Sequence, residues 1–304
     1  MSEERAIGVD VGGTKILAGV VDRAGRVAAS RQCPTPHKSQ AALLDAIASL
    51  VDELRDCTVV AVGLGVPSTI DQRDGRAVFS VHVPLAGIAL RAWGGQRFRL
   101  PTAVDNDANA AALAEWTAGA GRGALHMVML TLGTGIGGGL ILDGRLYRGA
   151  VGAAAELGHM VLQYGGPPCQ GACRGHGHFE ALTSGTAAAE MARNTLGPAA
   201  DTPALVARAR AGDPSALQAM TVLGERLGAG IASLVNIFNP ERVVIGGGFG
   251  EAFDLLVGPA RRVLAEEALP PARDIVRVVP ADLGGEAGMI GAALIGFEAA
   301  DARG

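Results

Sequence analysis

Three glycine runs, each placed where an apolar β-type segment ends, constrain this chain more than any other feature. Residues 6–11 read as a strand and run into Gly12-Gly13-Thr14, with Asp10 just before the turn and Lys15 just after it. Residues 127–132 read as a strand and run into Gly133-Thr134-Gly135-Ile136-Gly137-Gly138-Gly139. Residues 242–245 lead into Gly246-Gly247-Gly248-Phe249-Gly250, which opens a helix. Glycine loses more conformational freedom on folding than any other residue, so 45 glycines in 304 residues imply sharp turns or close backbone approach. Backbone N–H groups grip a polyphosphate where glycine lets the chain come near. One such loop is often only a tight turn. Three at strand ends, two of them carrying Thr14 or Thr134, indicate a phosphate cradle. The candidate contacts lie in Asp10 to Lys15 of the first loop, Leu132 to Gly139 of the second and Gly246 to Gly250 of the third. Lys15 is either a phosphate contact or a solvated surface lysine. The Walker pattern is absent from these loops. Gly133-x-Gly135-x-x-Gly138 has the Rossmann spacing but leads into a strand-like run instead of a helix.

Around these loops the pattern alternates between strand and helix, an α/β signature. The turn 12–14 is too short for a helix, so residues 16–21 form a second strand. Leu43, Leu44, Ile47, Leu50, Val51 and Leu54 mark a helix over 41–54, and 59–66 is a buried strand. An alanine-rich helix is expected over 109–117. After the second glycine run a strand resumes at 140–142, and Asp143-Gly144 is a hairpin turn. Asp213-Pro214 caps a long helix that stops at Asn239-Pro240, and a last helix covers about 286–300. Residues 7–21 and 128–142 repeat one plan: strand, glycine turn with Thr, strand. A duplicated unit with two facing domains would produce it, with a boundary between about Glu115 and Gly123, where Ala118-Gly119-Ala120-Gly121 has little packing bulk.

Composition narrows the function. Hydrophobic residues make up 49% of the chain, enough for a sizeable core. The net charge of −4 argues against nucleic acid as a partner. No apolar run reaches the roughly 18 residues of a membrane helix, and the start Met1-Ser2-Glu3-Glu4-Arg5 has no secretory pattern. Four cysteines are too few for a disulfide scaffold, so a cytoplasmic location is expected, with Cys33 and Cys57 as packing residues or free thiols.

Two clusters carry chemistry. Asp105-Asn106-Asp107-Ala108-Asn109 sets carboxylates and amides at a helix start; these suit polyol hydroxyls, and one carboxylate could accept a proton. Helix capping alone would also place Asp or Asn there. The second cluster gathers Glu156, His159, Cys169, Cys173, His176, His178 and Glu180 within a segment rich in Gly and Pro. Two Cys and two His suit tetrahedral Zn²⁺, with His159, Cys169, Cys173 and His178 as the best set and His176 competing for the last place. Four protein ligands make the metal structural.

Taken in order, Asp10-Val-Gly-Gly-Thr14, Asn106-Asp107-Ala-Asn109, Leu132-Gly-Thr-Gly-Ile-Gly-Gly-Gly139, Glu156-Leu-Gly-His159 and the segment 169–180 resemble the ROK family of sugar kinases and repressors, above all its bacterial glucokinases. The resemblance spans essentially the whole chain. It implies an actin-like (ribonuclease H-like) two-domain ATPase fold with sugar and ATP in the cleft. The expected division is 1–117 as a small domain, 118–286 as a large one carrying the zinc segment 159–178, and 287–304 packing back on the first. By position, Asp107 would be the base for a hexose 6-hydroxyl, and Asn106, Asp107, Glu156, His159 and Glu180 would bind the sugar. Asp10, Gly12, Gly13, Thr14, Gly133, Thr134, Gly135, Gly247 and Gly248 would face Mg²⁺, phosphates or nucleotide. Glucose is the expected sugar, with N-acetylmannosamine, N-acetylglucosamine and fructose as alternatives, and a homodimer is the expected assembly. A family repressor would carry a helix-turn-helix ahead of this region, whereas here the first strand begins near Ala6. Three departures stand out. His178 replaces the last cysteine of the usual zinc segment, and the first two cysteines are spaced x-x-x. His82 stands where many members have Asn. Ser68 follows Val66-Pro67, where glycine is usual.

Overall fold

The computed structural model describes residues 4–80 and 83–302, so His82 lies outside the described residues. Strands β1 (Arg5–Val11) and β2 (Lys15–Asp22) pair antiparallel across the first glycine turn, and β3 (Val27–Pro34) extends them at the edge. Helix α1 (Gln40–Leu54) begins at Ser39, whose hydroxyl accepts the Ala42 N–H, and buries Leu43, Ile47, Leu50, Val51 and Leu54. The chain continues through β4 (Val59–Val66), the hairpin β5 (Ser68–Asp71) and β6 (Arg76–Ser80), α2 (Leu90–Phe98), β7 (Thr102–Asn106) and α3 (Asp107–Ala118). The first sheet has the order β3-β2-β1-β4-β7, with β4 parallel to both β1 and β7.

The second half repeats this plan with β8 (Met127–Leu132), β9 (Ile136–Leu142) and β10 (Arg145–Leu146). Helices α4 (Phe179–Thr183), α5 (Gly185–Leu196), α6 (Thr202–Arg210) and α7 (Pro214–Phe238) follow. Then come β11 (Arg242–Gly246), α8 (Phe253–Glu267), α9 (Ala272–Ile275), β12 (Arg277–Pro280) and α10 (Ala287–Asp301). The second sheet has the order β10-β9-β8-β11-β12, again three antiparallel strands followed by parallel partners. The repeat expected from residues 7–21 and 128–142 is therefore β1–β2 and β8–β9, in equivalent places in two sheets. Asp213 caps α7 by accepting from Ser215 and Ala216, and Asn239 ends it in the left-handed conformation.

Helices α3 and α10 lie between the sheets. One apolar cluster joins Ala6 and Ala61 of the first sheet to Met129 and Val244 of the second through Ala110, Ala114, Met289 and Ala293. The helices sit on bare backbone. A Cβ on Gly8 would lie 1.9 Å from the Met289 carbonyl oxygen, and one on Gly291 would lie 1.7 Å from that of Ala110. Much of the glycine content thus serves packing as well as loops. It also explains a boundary that differs from expectation: β9 starts at Ile136, inside the run expected to be a loop. Gly139 takes part in the strand because a Cβ there would come within 2.4 Å of Ala112 Cβ on α3.

The chain crosses between the sheets after α3 and again before α10. Fully buried Glu115 ties the two crossings together. Its Oε2 accepts the N–H groups of Ala120 (2.8 Å) and Asp282 (3.1 Å), and its Oε1 accepts that of Leu283 (2.8 Å). Among the described residues no helix is long and apolar enough to cross a membrane.

Candidate active site

The ends of β1, β7, β8 and β11 open on one cleft, the place where α/β sheets bind ligands. Helix α3 begins there. Asn106 is its cap, with extended backbone and Oδ1 accepting from Ala108 (2.9 Å) and Asn109 (3.3 Å). The Asp107 carboxylate is the first helical side chain and accepts the Ala108 N–H at 2.9 Å, so the positive helix terminus supports its charge. Capping and a site role coexist here, because Asp107 lines two cavities at once.

The first cavity, 640 Å³, is bounded by Gly12 and Gly13, by Asn106 and Asp107, by Gly133–Gly137, and by Glu156, His159 and Glu180. Burial raises the Glu156 carboxyl above its usual range, with His159 opposing the shift. Ala155, just before it, holds φ +65°, a left-handed conformation that favours glycine. Glu180 faces two ways. Oε2 accepts the Ile136 N–H at 3.2 Å, fixing the second glycine loop, and Oε1 accepts from the Cys169 thiol at 3.1 Å.

The second cavity, 460 Å³, is lined by Asp10, Asp107, Thr131, Gly246–Gly248, Gly284, Gly285 and Gly288. Asp10 and Asp107 face one another across it. Burial first, and the Asp107 charge second, push the Asp10 carboxyl up to about 7, while Lys15 pulls it down. Two carboxylates converging on one cavity beside glycine backbone suit a divalent cation with oxygen ligands. A third cavity, 670 Å³, continues from Gly133, Thr134 and Gly248 into the apolar walls of Ala189, Val206, Ala207 and Phe249. The Thr186 hydroxyl donates to the Thr134 carbonyl at 2.8 Å, and the Gly185 N–H to that of Gly133 at 2.8 Å, so α5 pins this loop.

Next to the first cavity, His159, Cys169, Cys173 and His178 place one ligand atom each within 4.8 Å of one another. The two Nδ1 atoms are 3.2 Å apart, and each faces a cysteine sulfur at 3.7 Å. A tetrahedral zinc with Zn–N near 2.0–2.1 Å and Zn–S near 2.3 Å has edges of about 3.3 Å and 3.6 Å, so this set could hold one. His178 belongs to the group and His176 does not. Burial and the Glu180 carboxylate push the Cys169 thiol up to about 12; a metal would take the thiolate and release that proton.

Most of the expected site residues converge on these cavities. Thr14 and Lys15 are exposed at the start of β2 and line none of the three. The residues that sequence reasoning missed are Thr131, the Gly284-Gly285 turn with Gly288, and the α5–α6 wall around Thr186 and Val206. The Ser184-Gly185-Thr186 helix start was a visible cue, since the Ser184 hydroxyl caps α5 at the Ala187 N–H.

A duplicated α/β fold with a carboxylate between a polar pocket and glycine loops is that of an actin-like ATPase. The chain belongs to the ROK family, which it matches over residues 6–298. Among similar proteins, a glucokinase of Streptomyces coelicolor is 34% identical over 306 residues, 94% of this chain and 96% of that protein. A glucokinase of Thermotoga maritima is 35% identical over 317 residues, covering 97% and 98%. A ROK family glucokinase from Streptomyces griseus, solved in complex with glucose and AMPPNP, superposes with a TM-score of 0.85 at 34% identity, covering 97% of this chain and 99% of that one.

Proposed function

We propose that this chain transfers the γ-phosphoryl group of ATP to the 6-hydroxyl of a hexose, with glucose as the preferred sugar. The observation that carries the reading is the position of Asp107, where the hydroxyl-binding cavity meets the glycine-lined one. Asn106, Glu156, His159 and Glu180 bind sugar hydroxyls and turn one toward Asp107. The Asp107 carboxylate takes the proton as the oxygen attacks, a role suited to an ionised group held at a helix start. Backbone N–H groups of Gly13, Thr134 and Gly135 hold the phosphates, those of Gly12 and Gly133 closing the turns on the Lys15 and Gly135 carbonyls, and the third cavity receives the nucleoside. Asp10 would hold Mg²⁺ together with the nucleotide, and the cation would supply charge neutralisation for the transferred group. His159, Cys169, Cys173 and His178 would hold Zn²⁺, which would support a segment poor in apolar residues.

The 34–35% identity to glucokinases over nearly the whole chain supports glucose as the substrate. The proposal includes the division into 1–117 with 287–304 against 118–286, supported by α10 packing on the first sheet. It also includes a cytoplasmic location and a homodimer, the latter checked by light scattering. The deciding experiment is an ADP-release screen over hexoses and N-acetylated amino sugars, in which glucose should turn over fastest. In the same assay Asp107→Asn should lower kcat by roughly 10²–10⁴ while sugar and ATP affinities stay within a few-fold. Near-normal turnover by that variant removes Asp107 from the role of base.

A further inference from the structure

The segment after β10 crosses from the second sheet to the first before it reaches Glu156. On it, Arg148 donates through Nε to Asp105 Oδ2 and through Nη2 to Glu298 Oε2 at 2.8 Å. Asp105 is fully buried on β7, two residues before the proposed base. Its other oxygen, Oδ1, accepts the Asn106 N–H at 2.8 Å and the Asn109 side-chain amide at 2.9 Å. Asp105 therefore divides its two oxygens between the turn that presents Asp107 and an arginine from the opposite half. The same segment docks further on, where the Val151 carbonyl accepts the Gln72 N–H at 2.8 Å and Gly152 abuts the Ile70 carbonyl. It then delivers Ala153 and Glu156 to the first cavity.

A buried carboxylate stripped of its counter-charge is costly and shifts or rearranges. Asp105 cannot shift without moving the Asn106 N–H and the Asn109 amide. We propose that Arg148 is a positioning residue: through Asp105 it holds the Asn106–Asp107 turn in register with the loop that carries Glu156 on the far side of the cavity. This rests on the kinase reading of the site above.

The test compares wild type, Arg148→Met and Arg148→Met/Asp105→Asn. Arg148→Met should lose roughly 10- to 100-fold in kcat while the sugar dissociation constant changes less than about threefold, because a displaced base costs rate more than binding. The double variant should recover most of the loss, since the carbonyl of the introduced amide can still accept from Asn106 and Asn109 without a counter-charge. Wild-type kcat in Arg148→Met overturns the proposal, and so does a double variant as slow as the single one. Hydrogen–deuterium exchange over 105–109 supplies a reading independent of turnover. It should rise in Arg148→Met, or in Arg148→Gln if Arg148→Met does not fold, and unchanged exchange also overturns the proposal. Absence of sugar-dependent ADP release in wild type refutes the kinase reading alone and leaves the exchange result to decide on Arg148.

Discussion

Asp10 should weaken the ligand-free protein at the pH where the protein is expected to work. Its carboxyl titrates at about 7 in the fold against 3.8 in an unfolded chain, because of burial and the facing Asp107. Below pH 3.8 both states carry the proton and there is no penalty. As pH rises from about 4 to about 7 the unfolded chain ionises freely and the folded chain resists, so stability falls across that window and levels off above it. About three units at 1.36 kcal/mol each set a ceiling of about 4 kcal/mol, and water in the open cleft reduces the expected effect to about 2 kcal/mol. Asp10→Asn keeps the shape and removes the charge. In urea unfolding without ligands, the variant should be the more stable protein at about pH 8 by about 2 kcal/mol, and the gap should close by about pH 4. Mg²⁺ with ATP should reverse the ranking, because wild type offers the cation two carboxylates and the variant keeps only that of Asp107. Parallel pH profiles for the two proteins, or a more stable wild type under alkaline conditions without ligands, would refute the reasoning.

Purified protein should contain about one zinc per chain on its four-residue set, as elemental analysis will show; its removal by a chelator should raise the sugar KM more than the ATP KM, because His159 borders the sugar cavity. Protein isolated without zinc, whose sugar KM does not change when zinc is added, refutes that assignment. Ala155→Gly relieves a left-handed alanine and should gain about 0.5–1 kcal/mol in urea unfolding, the strain outweighing the entropy that glycine adds to the unfolded chain. Glu115→Gln replaces one acceptor oxygen with a donor facing backbone N–H groups, and should cost about 2–4 kcal/mol by the same measurement.

The sequence was most legible where periodicity and caps agreed. Helix α1, β4 and α7 fall within a residue or so of expectation because their apolar spacing is strong and Asp213 and Asn239 mark the ends of α7. The Asn106–Asp107 turn and the Cys/His group were visible as residue clusters, and the structure brings each together. β3 escaped because its small and polar residues give no apolar alternation: it is an outer edge strand, largely exposed. The start of β9 escaped because glycine normally signals a loop, and only the approach of α3 explains glycine in a strand. The third cavity escaped because its walls are ordinary alanine, valine and phenylalanine on helices, brought together only by tertiary packing. Arg148 lies 43 positions from Asp105, and nothing local links them.

Helix α3 carries Asp107 at its first position and Glu115, the knot of both crossings, eight residues on. At 1.5 Å per residue these ends are about 12 Å apart, so a turn of about 10° at the knot would swing the carboxylate by about 2 Å. A displacement of that size would take a proton acceptor out of reach of a hydroxyl, so the fixed anchoring of Glu115 at the far end of α3 sets how accurately Asp107 is aimed.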